Sequence, residues 1–256
     1  MSYVGKKENA FAFDLLTAQA QLQEMKSEIT PLGARALLYL FNKNMRRSIQ
    51  GLHVDMTGIN VIREKLKAGY KIIFMPLYKT FLDFFILSYV NLTFGIPMGF
   101  TFGNFEDTPR IVLFDRILKT TGYVLSRRKQ GQSVQSHYIN RELLRETIAR
   151  NQVTTIFQNA ERFRADRLNR QSNSDVTIRW LIDVYCALNQ ASQKTMLIVP
   201  VTVSYDRIYE SANLATEMIN GEKQDYTLLM SLQKMISLKR DSLGDIYVKH
   251  LTPISA

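Results

Sequence analysis

The sequence predicts an α/β protein, with a mixed, largely parallel sheet flanked by helices and a helical extension at the N-terminus. Two observations carry that expectation. From Gly51 onward, short apolar runs alternate with helical patterns, the order expected of parallel strands joined by crossover helices. At 256 residues and 46% apolar content, the chain can bury a large core and has the composition of an ordinary globular protein. No internal repeat, low-complexity tract or Gly/Ser linker breaks it up. The expected division is therefore a helical segment over residues 1–50 and one α/β domain over 51–256.

Residues 8–28 and 31–49 read as two helices. Thr30-Pro31 is a good start for the second, with a capping side chain followed by proline at the first helical position. On that helix Leu37, Leu38, Phe41, Met45 and Ile49 share one face, and Lys43, Arg46 and Arg47 share the opposite one. Such a helix can lie on an anionic membrane surface. It can equally dock on the protein's own core with a solvated basic back, and the residues support both readings.

Candidate strands follow at 71–76, 98–103, 122–126, 154–159, 196–205 and 245–251. Helical patterns lie at 57–68, 81–94, 109–120, 133–150 and 174–190. The run Ile72-Ile73-Phe74-Met75 is a buried strand, ended by Pro76 because proline cannot donate to a sheet ladder. Thr80 and Asp83 then have the spacing of a capping pair at the start of a helix, ahead of Phe84-Phe85-Ile86-Leu87. A strand, a short polar loop and a helix N-terminus form a common seat of chemistry in α/β proteins. The most apolar stretch, 81–100, contains Asp83, Asn91, Gly95 and Pro97. Its helical part ends near Gly95, too short to cross about 30 Å of hydrocarbon.

A formal charge of +10 points to an anionic partner: a phosphorylated ligand, an anionic lipid surface or nucleic acid. Nucleic acid ranks last, because the basic residues are not interleaved with aromatics and no zinc-ligand or helix-turn-helix pattern appears. The single cysteine, Cys186, cannot form an internal disulfide, which fits a reducing, intracellular compartment. It falls in an apolar helical pattern and reads as a packed thiol. His53, His137 and His250 are dispersed, so no metal site is expected, and no glycine-rich nucleotide loop is present. The polar start, Met1 to Glu8, does not resemble a secretory signal, and the C-terminal Pro253-Ile-Ser-Ala256 is not a peroxisomal address. Gly122 and Pro200 read as turn and strand-end residues.

Four patches in order carry a family resemblance, spanning roughly Ile59 to Ser255. The first is Tyr78-Lys79-Thr80-Phe81-Leu82-Asp83-Phe84, followed by Leu87-Ser88-Tyr89. The second is Gly122-Tyr-Val-Leu-Ser-Arg127-Arg128, and the third is Phe157-Gln-Asn159-Ala160-Glu-Arg162-Phe163-Arg164. The fourth is Val199-Pro200-Val-Thr-Val-Ser204-Tyr205-Asp206-Arg207-Ile208, with Gly244-Asp-Ile-Tyr-Val and Thr252-Pro253-Ile254-Ser255 closing the domain. Together they resemble the four blocks of the glycerol-3-phosphate and dihydroxyacetone-phosphate acyltransferases, acyl-CoA-dependent enzymes of glycerolipid and ether-lipid synthesis.

The resemblance implies roles. In that family a histidine takes the acceptor hydroxyl's proton, as acyl transfer from a thioester requires. The Asp five positions later orients it, as in a His-Asp pair without a nucleophilic serine. Here Tyr78 stands at the histidine position and Asp83 at the orienting one. Arg127, Arg128, Arg162 and Arg164 would hold the substrate phosphate, for which bidentate guanidinium geometry is suited, with Lys79 as a point charge and Thr80 beside it. Helix N-termini near the loop would further favour the anion. The third block's usual glutamate and glycine are replaced by Asn159 and Ala160, and its second glycine by Asp166.

A free phenol has a pKa near 10 and is only about 0.1% ionised at neutral pH. General-base catalysis contributes about 10²–10⁴-fold, so turnover should be impaired while the arginine-lined groove remains. The implied ligands are acyl-CoA, as co-substrate rather than cofactor, and a phosphorylated glycerol-type molecule. A non-enzymatic scaffold is the alternative, one that lies on an anionic membrane surface or pairs with a paralogue or a second copy of the chain. A peripheral-membrane location is expected, with peroxisome, endoplasmic reticulum and mitochondrial outer membrane all open.

Overall fold

A computed structural model describes residues 22–23, 25–77, 79–80, 82–103, 118–125, 134–157, 181–186, 196–208, 210–220 and 243–255. Among these, the element order is α1 (Pro31–Ser48), β1 (Ile49–Val54), α2 (Met56–Lys67), β2 (Lys71–Pro76), α3 (Leu82–Thr93), β3 (Phe100–Gly103), β4 (Tyr123–Leu125), α4 (Val134–Arg150), β5 (Val153–Ile156), β6 (Met196–Tyr205), α5 (Ser211–Asn220), β7 (Gly244–His250) and β8 (Ile254–Ser255). The strands form one sheet in the order β1-β7-β6-β2-β5-β3-β4, with β8 alongside β6. β2, β3, β4, β5 and β6 run parallel, and β7 runs antiparallel to β6. The expected mixed, largely parallel sheet is therefore present. The C-terminal ends of β2, β5 and β6 lie at one edge of it, where ligands of open α/β sheets bind.

Both faces of the sheet are covered. On one, Ile72, Phe74, Val199, Val201 and Val203 pack against Phe41 and Met45 of α1, Ile59 and Ile62 of α2, and Phe84 and Phe85 of α3. On the other, Ile73, Met75 and Met196 pack against Leu144 and Ile148 of α4 and against Leu181 and Val184. This two-sided burial explains why β2 reads as a continuous apolar run rather than an alternating one. Lys71, at the start of β2, donates its ammonium to the carbonyls of Ile148 (2.6 Å), Ala149 (2.7 Å) and Asn151 (3.1 Å). It thereby satisfies orphan acceptors at the C-terminus of α4.

The helix starts follow their sequence signals. The Thr30 hydroxyl accepts from the Gly33 amide, and Pro31 opens α1. The Asp55 carboxylate accepts from the Thr57 amide at the start of α2. Each such cap contributes about 1 kcal/mol. The apolar face of α1 is used internally: Phe41 and Met45 are buried, and Phe41 stacks on Phe85 at 5.3 Å. Of the two readings of this helix, docking on the protein's own core accounts for that face. Among the described residues no helix is long and apolar enough to cross a membrane.

Several expectations need correction. The second helix stops at Ser48, and Ile49 already belongs to β1, which pairs in parallel with β7. No strand was expected at β1 or β8, and no helix at α5. Pro200 lies inside β6, not at its end. It falls where the neighbour of β6 changes from β8 (Leu197, Ile198) to β7 (Val201 to Tyr205), so its missing N–H interrupts no ladder bond on that side. Cys186 is exposed rather than packed, because Leu181 and Val184 supply the buried face of its helix. Gly122 does sit in a turn, with φ of +77°, and an added Cβ would lie 2.6 Å from Ile29.

Candidate functional site

The loop between β2 and α3 runs beside the end of β6, which continues four residues past the level of Pro76. Asp83 is wholly buried there. Its Oδ2 accepts from the backbone amides of Lys79 (2.7 Å) and Thr80 (3.0 Å), and its Oδ1 accepts from the Tyr205 hydroxyl. Thr80 is equally buried, and its hydroxyl accepts from the Leu82 amide at 3.4 Å. Thr80 and Asp83 thus form the expected capping pair, each side chain turned toward a backbone amide of the same helix start. The Lys79 ammonium donates to the Val203 carbonyl at 2.8 Å, tying the loop to β6.

Burial pushes the Asp83 carboxyl up to about 7. The Thr80 amide, the Tyr205 hydroxyl, the Lys79 amide and the Lys79 charge all oppose this and are outweighed by desolvation. The group therefore changes charge near neutrality, in the range useful for proton transfer. The amides of Lys79 and Thr80, which could have met an external anion at this helix start, are taken by the protein's own carboxyl. None of the partners of Asp83 is a histidine. His250 stands opposite Val201 and Tyr205 opposite Ile246, so His250 lies four residues, about 13 Å of strand, from the level of Tyr205. His53 is more than half exposed and stacks on Tyr247. The side chain of His137 lies outside the described residues.

Of the residues assigned from sequence, Lys79, Thr80 and Asp83 come together at this loop. Tyr78, Arg127, Arg128, Arg162 and Arg164 lie outside the described residues. Tyr205 belongs to the fourth patch, where the sequence assigns it no role, and the structure brings its hydroxyl onto Asp83. The signal that could have found it is alternation along β6. Val199, Val201, Val203 and Tyr205 share one face, and Tyr205 is the polar-tipped member at the strand's end.

A groove of about 260 Å³ lies between α1, α3 and the β1–β7 edge. Its walls include Phe41, Met45, Leu52, Ile86, Tyr89 and Ile246, with Arg46 also lining it. Ile86 is one turn along α3 from Asp83, and Ile246 is the cross-strand neighbour of Tyr205. Ile86 and Ile246 are thus the wall residues nearest in helix and sheet to the Asp83–Tyr205 contact, and neither Asp83 nor its partners line the groove. Among the described residues no group of His, Cys, Asp and Glu side chains is placed to hold a metal ion.

No family model matches the chain. It is 23% identical over 229 residues to a glycerol-3-phosphate acyltransferase of Baumannia cicadellinicola subsp. Homalodisca coagulata, an alignment that covers 89% of this chain and 26% of that protein. The chain thus spans about a quarter of the length of this curated relative. At this distance the similarity supports a general acyltransferase relationship.

Proposed function

We propose that the chain is a divergent, acyl-CoA-dependent O-acyltransferase domain of the glycerol-3-phosphate/dihydroxyacetone-phosphate type. It binds its ligands at an arginine-lined groove and turns over poorly. The observation that carries this reading is the state of Asp83, held by the Lys79 and Thr80 amides and the Tyr205 hydroxyl with no imidazole upon it. A carboxyl at this place on the loop is what a His-Asp pair would need, and its usual partner is absent. The groove walled by Ile86 and Ile246 suits the acyl chain of the donor.

The chemistry would run as a direct attack. The acceptor hydroxyl oxygen forms a bond to the thioester carbon, the C–S bond breaks, and coenzyme A leaves as a thiolate that takes up a proton. The hydroxyl proton needs an acceptor at the loop, and a neutral phenol at position 78 serves badly.

Calorimetry with glycerol 3-phosphate and thiol release from acyl-CoA test the two halves. The expected outcome is retained binding that Arg127→Ala or Arg128→Ala abolishes, together with release that is slow in the native chain. Tyr78→His should raise release by about 10²-fold or more. Fast native turnover that Tyr78→His leaves unchanged would mean a working enzyme with another base. Absence of phosphate binding would remove the groove from the reading.

A further inference from the structure

Asp83 is sealed from solvent, and Tyr205 is not. The carboxyl is wholly buried, whereas Tyr205 is the last residue of β6 and stays partly exposed at the edge where open α/β sheets bind ligands. Asp83 Oδ2 is filled by the amides of Lys79 and Thr80, and Oδ1 by the Tyr205 hydroxyl. A backbone amide holds its proton, but a phenol oxygen can accept one hydrogen bond while donating another. Among the described contacts of Asp83, the hydroxyl alone can therefore pass a proton inward. Lys79 and Tyr205 are the charged and titratable groups that face Asp83 among the described residues, and the Lys79 ammonium is engaged by the Val203 carbonyl.

We propose that Tyr205 and Asp83 form a proton relay that serves acyl transfer where an imidazole is missing, with Tyr205 the catalytic residue that touches the acceptor hydroxyl. The inference rests on the acyltransferase reading above and names the base that reading lacks. As the acceptor oxygen forms its bond to the thioester carbon, its proton passes to the Tyr205 oxygen, and the proton that Tyr205 held passes to Asp83 Oδ1. When the C–S bond breaks, the two shifts run in reverse and the coenzyme A thiolate takes the proton. One hydroxyl proton thus ends on one thiol, and both side chains finish as they began. The phenol stays neutral throughout, so the base strength that counts is that of the carboxyl and not that of a free phenol near 10. Burial places the carboxyl at about 7, so about half of the molecules hold it ionised and ready at neutral pH. Two protons must move together, which fits slow turnover.

Single-turnover thiol release from palmitoyl-CoA with glycerol 3-phosphate, followed in the full chain from about pH 5.5 to 9, tests the relay. Native release should rise through a midpoint near 7 to a plateau. Tyr205→Phe should lower that plateau about a hundredfold. The release that remains should titrate above 7, because the carboxyl has lost a donor that held it down. Asp83→Asn keeps an acceptor for the Tyr205 hydroxyl but no base, so it should lower the plateau by a similar factor and abolish the midpoint. Circular dichroism of the same samples separates lost relay from lost fold. A plateau that Tyr205→Phe leaves unchanged, with only the midpoint displaced, would overturn the relay and leave Tyr205 as a positioning residue that sets the Asp83 charge. Native-like release by Asp83→Asn would overturn it too. Calorimetric binding of glycerol 3-phosphate keeps the two readings apart. Retained binding with release that both variants leave unchanged sinks the relay alone, whereas neither binding nor release in the native chain sinks the acyltransferase reading with it.

Discussion

Asp83 and His250 are two titratable side chains buried in the same apolar layer, and they are treated in opposite ways. Asp83 is met by three donors, from Lys79, Thr80 and Tyr205. Neither ring nitrogen of His250 has a partner. The ring stands edge-on to Phe74 at 5.4 Å, and Gly58 leaves room for the His250 backbone. Burial drives both toward their neutral forms. It pushes Asp83 up to about 7 and His250 down to about 4, the latter only weakly opposed by Asp55. The difference shows how to tell a site from a spacer. Where donors converge on a buried group its protonation is controlled, and where none does the ring acts as apolar volume.

The largest expected effect comes from removing the group with partners. Asp83→Ala would strand two amides and a phenol hydroxyl in a dry pocket, at a cost of about 3–5 kcal/mol. Asp83→Asn keeps an acceptor for the amides and should cost about 1 kcal/mol. Urea unfolding of both variants measures the gap. If the two were equally mild, the three contacts would not be holding the loop.

The pH dependence sharpens the contrast further. Between about pH 4 and 6.5 the unfolded chain carries a charged histidine, while folded His250 stays neutral. The unfolded state then binds the extra proton, so this group's contribution to stability is present above 6.5 and is lost as pH falls toward 4. Asp83 does the reverse. Over about pH 4 to 7 the folded carboxyl holds a proton that the unfolded one has released, so its contribution is present at low pH and is lost as pH rises through 7. Each slope is about 1.4 kcal/mol per pH unit, and between about 4 and 6.5 they nearly cancel. Asp83→Asn should therefore show stability rising with pH across that window relative to the native chain, and His250→Phe should show it falling. At neutral pH His250→Phe should be neutral or stabilising by up to about 1 kcal/mol, since it removes two unsatisfied nitrogens. Parallel curves for all three proteins would contradict the opposed shifts.

What the sequence disclosed follows the range of the interactions involved. β2 and β6 have the bounds expected from their apolar runs, and the Thr80–Asp83 cap was legible because capping is local. β1 was not, since Ile49-Gln-Gly-Leu-His-Val neither alternates nor forms an apolar run. Only its distant partner β7 makes it a strand. Cys186 misled because one helical pattern fits two rotations, and the packing of Leu181 and Val184 chose between them. At the site, the residues of one loop could be grouped by spacing. Tyr205 could not, because it meets Asp83 across 122 positions of chain.

That long-range contact carries the most specific prediction. Tyr205→Phe keeps the ring that packs against the core and removes only the hydroxyl on Asp83 Oδ1, so the expected loss is about 1 kcal/mol. The same hydroxyl holds the Asp83 pKa down, so its removal should raise that pKa further above 7 and keep the carboxyl protonated at neutral pH. Following the Asp83 carboxyl carbon by NMR through a pH titration separates the two consequences. A stability loss without a change in titration would mean that the hydroxyl holds the fold without setting the charge of Asp83. A shifted titration would make it the group that sets the charge of the one buried acid on this loop, and would give any residual acyl transfer a pH profile displaced in the same direction.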